Sequence, residues 1–251
     1  MSEKFSAKIW NYLIIKMKLF ISAYFLIIIS NSFLYSQEID GKYDFTFYPK
    51  PIPEFSLKSS IGVTVGKLPK FIVDDQINQI PMLFFYGRFG LPLNISANAG
   101  INTNVLTNHF SAGASWHFDI GKLSFSIGDN MAFWYGFAYF DYFNSKIYGW
   151  INYPSVAIGF NFGELRATLK NEAAYMLHLT KSIGNIAVQT QKDRVINISS
   201  SLILEQPLWD ENIFALGIKF NYTRYFYQSW LAYTTNQVWL IIPEFMVGYN
   251  I

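Results

Sequence analysis

At 251 residues the chain is long enough for one sizeable domain, yet only 14% of it is charged, against roughly 25% in an average soluble protein. It is 51% hydrophobic and 19% aromatic with no cysteine, which excludes disulfides, thiol chemistry and a lipid-bearing Cys. The formal charge of +2 arises in the leader: beyond residue 36 there are 15 basic and 16 acidic residues, a balance that gives no case for nucleic-acid binding.

The chain opens with a secretory signal. From Met17 it reads a positive Lys18, an apolar run Leu19–Ile29 and small polar residues Ser30–Ser36. This order of charge, apolar core and small residues is that of a signal peptide over 1–36, with Met17 as an alternative start and cleavage after Ser36 or Ser32. Residues 37–53, with Pro49, Pro51 and Pro53 close together, are expected as an N-terminal periplasmic segment. No later run of 18 apolar residues exists, so no helix spans a bilayer.

From 54 onward, segments of period two follow one another. Phe55, Leu57, Ile61, Val63 and Val65 alternate with Glu54, Lys58 and Ser60. Leu83–Leu91 carries Arg88 on its polar parity, and Leu93–Ile101 carries asparagines. Phe110–Asp119 carries His117, Leu123–Tyr135 carries Trp134, and Val156–Phe162 carries Asn161. Leu165–Leu177 carries Arg166, Lys170 and Glu172; Ile196–Glu205 carries Glu205; Phe214–Tyr222 carries Lys219. The last stretch, Gln237–Ile251, sets Trp239, Ile241, Phe245, Val247, Tyr249 and Ile251 against Glu244. That makes ten strands, with 8 or 12 as alternatives.

The connections sort by side. Odd ones (67–79, 103–108, 136–153, 178–193 and 225–236) are mostly long, and even ones, near Pro92, 119–122, 163–164 and 206–212, are short. Long extracellular loops, short periplasmic turns and an even strand count predict a closed antiparallel up-and-down transmembrane β-barrel over 54–251. In lipid every backbone group must be paired and no edge left open. The apolar parity then faces lipid and the polar parity the lumen. Trp116, Tyr135, Tyr222 and Trp239 are candidates for the interfacial aromatic girdle. Asp129 has the lipid parity, so a bulge at Gly128–Asn130 is expected to turn it inward. Pro243 lacks a ladder donor and is expected at a bulge or an unpaired position.

On these segments the chain resembles the small outer-membrane β-barrels of Gram-negative bacteria. Phe245, Val247, Gly248, Tyr249 and Ile251 look like that family's C-terminal signal for the barrel-assembly machinery, with Ile at the last position where Phe is usual. The resemblance implies outer-membrane location, contact with lipid and lipopolysaccharide, and no cofactor.

Parity assigns ten charged or titratable residues to the lumen: Glu54, Lys58, Arg88, His117, Arg166, Lys170, Glu172, Glu205, Lys219 and Glu244. Both signs are present in similar number. A lumen of about ten strands is narrow enough for side chains to fill, so a plugged, non-enzymatic barrel with a structural or interaction role is expected. Glu244 is expected to pair with Lys58 or Lys219. The alternatives are a narrow pore for small solutes and a surface hydrolase. Ten-stranded outer-membrane proteases use Asp pairs and an Asp–His pair at the rim. Here Asp74–Asp75 and His178 lie in loops without that spacing. Ser115 and His117 share one strand face, the inward one. No metal-ligand spacing exists. Aromatics in the long connection 136–153 (Phe137, Tyr139, Tyr148, Trp150) and in 225–236 (Tyr225, Phe226, Tyr227, Trp230) are expected as a cap or girdle, or as a surface for a protein partner.

Overall fold

The computed structural model describes residues 45–70, 78–104, 106–140, 143–184, 186–209, 212–230 and 238–251. The leader and Asp74–Asp75 lie outside them. Ten antiparallel strands close into one barrel. They are β1 (Leu57–Lys67), β2 (Gln79–Leu91), β3 (Ile95–Thr103), β4 (Thr107–Ile120), β5 (Leu123–Phe140), β6 (Phe143–Phe162), β7 (Leu165–Ile183), β8 (Ile186–Trp209), β9 (Asn212–Thr223) and β10 (Leu240–Asn250). Each strand pairs with its sequence neighbours. β10 closes the ring on β1, from Ser60↔Asn250 to Gly66↔Glu244.

Alternation explains the placement of side chains. Leu57, Ile61, Val63, Phe85, Ile127, Leu216, Phe220, Phe245 and Val247 are all exposed on the outside. Arg88, Asn98, His117, Glu205 and Asn221 are buried inside. This is a soluble barrel turned inside out: apolar residues face outward, as a lipid environment requires. Gly248 sits on the closing seam opposite Gly62. A Cβ there would stand 3.0 Å from Phe84 Cζ, so the glycine makes room for a ring inside the barrel.

Three expectations are corrected. The expected connections 136–153 and 178–193 are not long loops. β5 and β6 run 18 and 20 residues, β7 and β8 19 and 24. At about 3.4 Å per residue these strands rise well beyond an apolar belt of about 25 Å. Phe137, Tyr139, Tyr148 and Trp150 continue the outward parity, and Ala138, Ile147 and Ile151 continue the inward one. Their β-forming character carries the ladder upward past Gly149.

Asp129 needs no bulge. It pairs in unbroken register with Ala114 and Pro154 and stays outward, accepting a bond from Asn152 Nδ2 at 2.8 Å. The irregularity lies higher, where the β6–β7 register shifts between Trp150, opposite His178, and Ile151, opposite Met176. Leu177 is the extra residue, and His178 is turned outward. Pro243 takes the unpaired alternative rather than a bulge: it pairs with Phe220 on β9 and falls just past the last β1–β10 pair.

The third correction concerns the N-terminal segment. Residues 45–53 do not hang in the periplasm but enter the barrel. Phe45, Thr46 and Tyr48 are buried, Thr46 completely. The segment bends at Thr46–Tyr48 and at Lys50 and is rich in proline, so it does not add a strand, and the lumen is where its groups find partners.

Candidate functional site

The lumen is filled in three layers. The lowest is the inserted segment. Glu205, on β8 and fully buried, accepts three successive backbone N–H groups: Thr46 at 2.7 Å, Phe47 at 3.1 Å and Tyr48 at 2.7 Å. Asn250 Nδ2, beside the C-terminus, donates to the same carboxylate at 2.9 Å. From the opposite wall Arg88 on β2 donates to the carbonyls of Thr46 (3.1 Å), Tyr48 (2.7 Å) and Lys50 (3.0 Å). His117 Nδ1 donates to the Pro49 carbonyl at 3.1 Å. One carboxylate and one guanidinium thus replace both ladders a strand would have had. Charge-assisted bonds of this kind are roughly twice as strong as neutral ones.

Rings complete the fit. Phe47 stacks on Tyr86 at 5.5 Å, and Arg166 lies over the Phe45 ring at 4.8 Å while donating to Asn161 and the Gly163 carbonyl. Two glycines leave space: a Cβ at Gly90 would stand 2.1 Å from the Pro53 carbonyl, and one at Gly159 2.5 Å from the Tyr48 ring.

The middle layer is a cavity of about 220 Å³ with a charged wall. Lys170 on β7, Ser201 on β8 and Lys219 on β9 share one rung. Glu172 takes both lysines, Lys170 Nζ at 2.7 Å and Lys219 Nζ at 3.1 Å. Glu244 lies opposite Lys219 in register, but its oxygens accept from Gln228 Nε2 at 2.8 Å and Asn221 Nδ2 at 3.3 Å. The expected Lys58–Glu244 or Lys219–Glu244 pair is therefore not the one formed. Glu172 offers Lys219 a carboxylate that also satisfies Lys170.

The top layer is apolar. Trp134, Ile147, Ile151, Met176, Leu179 and Trp230 are buried together. Trp230 comes from the connection after β9, which passes a 3-10 turn at Tyr227–Ser229. Its Nε1 donates to Thr107 Oγ1 at 2.8 Å, and its carbonyl accepts from Lys181 at 3.3 Å. The aromatics of the connection after β9 therefore cap the lumen from within, while those of the β5–β6 hairpin face outward. Sequence parity could not show this cap, because the residues that form it lie outside any strand.

Of the ten lumen candidates, Arg88, His117, Arg166, Glu205 and Glu244 are buried inside, and Lys58, Lys170, Glu172 and Lys219 point inward and are half-buried. Glu54 is a correction: it sits in the exposed turn before β1, because the strand begins only at Leu57. Among the girdle candidates, Trp116 is exposed near the turn end of β4 and Tyr222 near the opposite end of β9. Tyr222 stacks on Trp239 at 4.8 Å. Tyr135 is half-buried in a row with Phe137 and Tyr139. Phe245, Val247 and Ile251 are exposed on the outer face, and Tyr249 there is half-buried, donating to Asn212.

Ser115 and His117 do touch. Ser115 Oγ and Ser96 Oγ lie 2.8 and 2.7 Å from His117 Nε2. Since Nδ1 donates to Pro49, Nε2 is the acceptor. The Arg88 guanidinium lies 3.2 Å from that same Nε2. A cation there opposes the imidazolium that a Ser–His hydrolase must form, and among the described residues no carboxylate bonds to the ring. Among the described residues no group of His, Asp or Glu side chains could hold a metal.

A closed ten-stranded barrel, an apolar outer belt and a polar, side-chain-filled interior are now together. The fold is that of an outer-membrane β-barrel. No family model and no curated protein sequence matches the chain. Among solved structures, this barrel is similar to Neisserial surface protein A, at 10% identity over 78% of this chain and 96% of that one, TM-score 0.38. It is similar to Ail, the attachment invasion locus protein of Yersinia pestis, at 10% identity over 79% and 100%, TM-score 0.35. Outer membrane phospholipase A from Escherichia coli matches at 11% identity over 86% and 94%, TM-score 0.36.

Proposed function

We propose that this outer-membrane barrel is non-enzymatic and closed, with a structural or interaction role, and that its own N-terminal segment keeps it shut. The observation that carries this reading is the grip of Glu205 and Arg88 on the backbone of residues 46–50. A segment held by six charge-assisted bonds is a built part of the barrel. The lumen charges then serve to bind the chain itself, as buried ions must be paired to be tolerable. Interaction with lipopolysaccharide or a protein partner falls to the raised β5–β6 hairpin, whose Tyr139, Tyr148 and Trp150 are exposed.

Planar-bilayer conductance tests this. The purified full-length protein is expected to insert without stable open channels, and a steady open state in the unmodified protein would overturn the reading in favour of a narrow pore. A hydrolase reading gains nothing from the Ser115–His117 contact beneath the inserted segment. Accordingly, Ser115→Ala is expected to leave any ester-hydrolysis background in detergent unchanged.

A further inference from the structure

We propose that the mid-lumen cavity is a binding site for a neutral, polyhydroxylated small molecule of about monosaccharide size. Four observations converge on that chemistry. First, among the described residues the charged side chains lining the cavity are Lys170, Lys219, Glu172 and Glu244, two of each sign. An anion or a cation entering this space would upset a balanced set in a medium of low dielectric, whereas a neutral guest does not.

Second, these charges interleave. Lys170, Lys219 and Glu244 share one rung from β7 to β10, and Glu172, one step along β7, bonds both ammoniums. Each ammonium keeps further N–H donors beyond its bond to Glu172, and each carboxylate oxygen keeps a second lone pair. A wall of interleaved donors and acceptors matches hydroxyl groups, which donate and accept at the same atom.

Third, the rest of the wall holds polar atoms without a partner among the described residues: Thr64 Oγ1 on β1 beside β10, and His109 Nδ1 and Asn130 Oδ1 on β4 and β5. All three residues line the cavity, and Thr64 and His109 are more than nine-tenths buried. His109 is fixed by its other nitrogen, 3.0 Å from Tyr153 Oη. Buried polar atoms normally find partners, so these mark places for a guest's hydroxyls.

Fourth, the cavity has an aromatic floor and roof. Phe47 lies below, stacked on Tyr86. Tyr227 lies above, stacked on His109 at 4.7 Å. Aromatic faces suit the C–H faces of a sugar ring, and the volume of about 220 Å³ is below the range of about 300–1,000 Å³ for drug-sized ligands.

The test uses the full-length barrel in lauryldimethylamine oxide, a detergent without a sugar. Saturation-transfer NMR is run with D-glucose and myo-inositol, and with acetate and methylammonium as charged comparisons. Saturable binding of at least one polyol is expected, with no saturation by either ion. Lys170→Met leaves Glu172 bonded to Lys219 and should weaken polyol binding at least tenfold. His109→Phe, which keeps the stack on Tyr227 and removes Nδ1, should do the same. Heat-modifiable migration on gels checks that both variants are folded. Failure of both polyols to saturate, an ion binding as tightly as the polyols, or unchanged binding in the two folded variants would each overturn the proposal. Conductance is read separately, so a failed polyol titration with a closed channel leaves the plugged-lumen reading standing, and an open channel with polyol binding does the reverse.

Discussion

The two ends of the lumen are closed by opposite chemistries. At the end holding the C-terminus, a non-strand segment is held by charge: Glu205 and Arg88 bind backbone groups of residues 46–50. At the other end, rings fill space: Trp134 and Trp230 are almost wholly buried among Ile, Leu and Met. The difference follows from what each plug is. The lower one brings naked backbone into a dry lumen, and each buried N–H or carbonyl without a partner costs about 1–3 kcal/mol. The N–H groups of Thr46, Phe47 and Tyr48 all reach one carboxylate, and the next residue, Pro49, has no N–H to satisfy. The upper plug brings side chains, whose burial is favourable at roughly 25 cal/mol per Å² and needs little polar support. A lower plug held by two side chains is releasable by changing either one, whereas an upper plug held by packing yields only gradually.

The sharpest way to break the comparison is at Glu205. Glu205→Leu leaves three buried N–H groups without an acceptor and Arg88 without its nearby countercharge. The expected outcome is release of residues 45–53 and the appearance of channel events in planar bilayers. The chain has no native cysteine, so Thr46→Cys gives a clean reporter. Maleimide should leave this cysteine unlabelled in the parent and label it in the Glu205→Leu background. Continued protection together with silent bilayers would show that the grip is not what holds the plug.

Trp230→Ala attacks the other end and should behave differently. Removing a ring that is 1% exposed costs about 3–5 kcal/mol, and the Thr107 hydroxyl loses its donor. The urea midpoint of the barrel in vesicles should fall, while conductance stays closed because the lower plug remains. If Trp230→Ala opens the channel, the two ends are not independent.

The same contrast explains what could be read from the residues alone. Lipid forces one parity to be apolar, so Phe245 and Val247 against Glu244, or Ile127 against Ser126, announce a barrel wall without any fold in view. The inward parity of Arg88 and Glu205 was legible for the same reason. What they hold was not, since Glu205 meets Thr46 across 159 positions of sequence, and period two says nothing about who lies across a lumen. The prolines of 49–53 rule out a strand, but they do not say on which side of the wall the segment lies. Parity also fails wherever the ladder slips. The shift at Trp150/Ile151 reverses inside and outside for the top of β7, leaving His178 outward, and no residue type marks it. The one polar residue that did invite a bulge, Asp129, stays on the ladder because Asn152 reaches it.

Within the middle layer, Glu172→Gln should cost less than the loss of Trp230. It removes the shared carboxylate of Lys170 and Lys219, two cations left on one rung. Breaking a fully buried ion pair costs about 3–5 kcal/mol, but these lysine side chains are 33% and 31% exposed to the cavity, so screening lowers the expected loss to about 1–2 kcal/mol. The double variant Glu172→Gln, Lys219→Met should recover part of it, and a double-mutant cycle on the urea midpoint measures the coupling.

The smallest effect is expected on the outer face. Asp129 lies on the lipid side between Ile127 and Met131, whose side chains are exposed there. Arg or Lys at such a site costs about 2–4 kcal/mol at the midplane, and Asp less. The bond from Asn152 recovers part of that cost. Asp129→Leu removes the charge and leaves the Asn152 amide facing lipid, so the gain should stay below about 1 kcal/mol. Combining it with Asn152→Leu should raise the gain, because the second orphaned polar group goes with the first. A loss of stability in the double variant would instead mean that this pair meets a polar neighbour in the membrane rather than lipid chains.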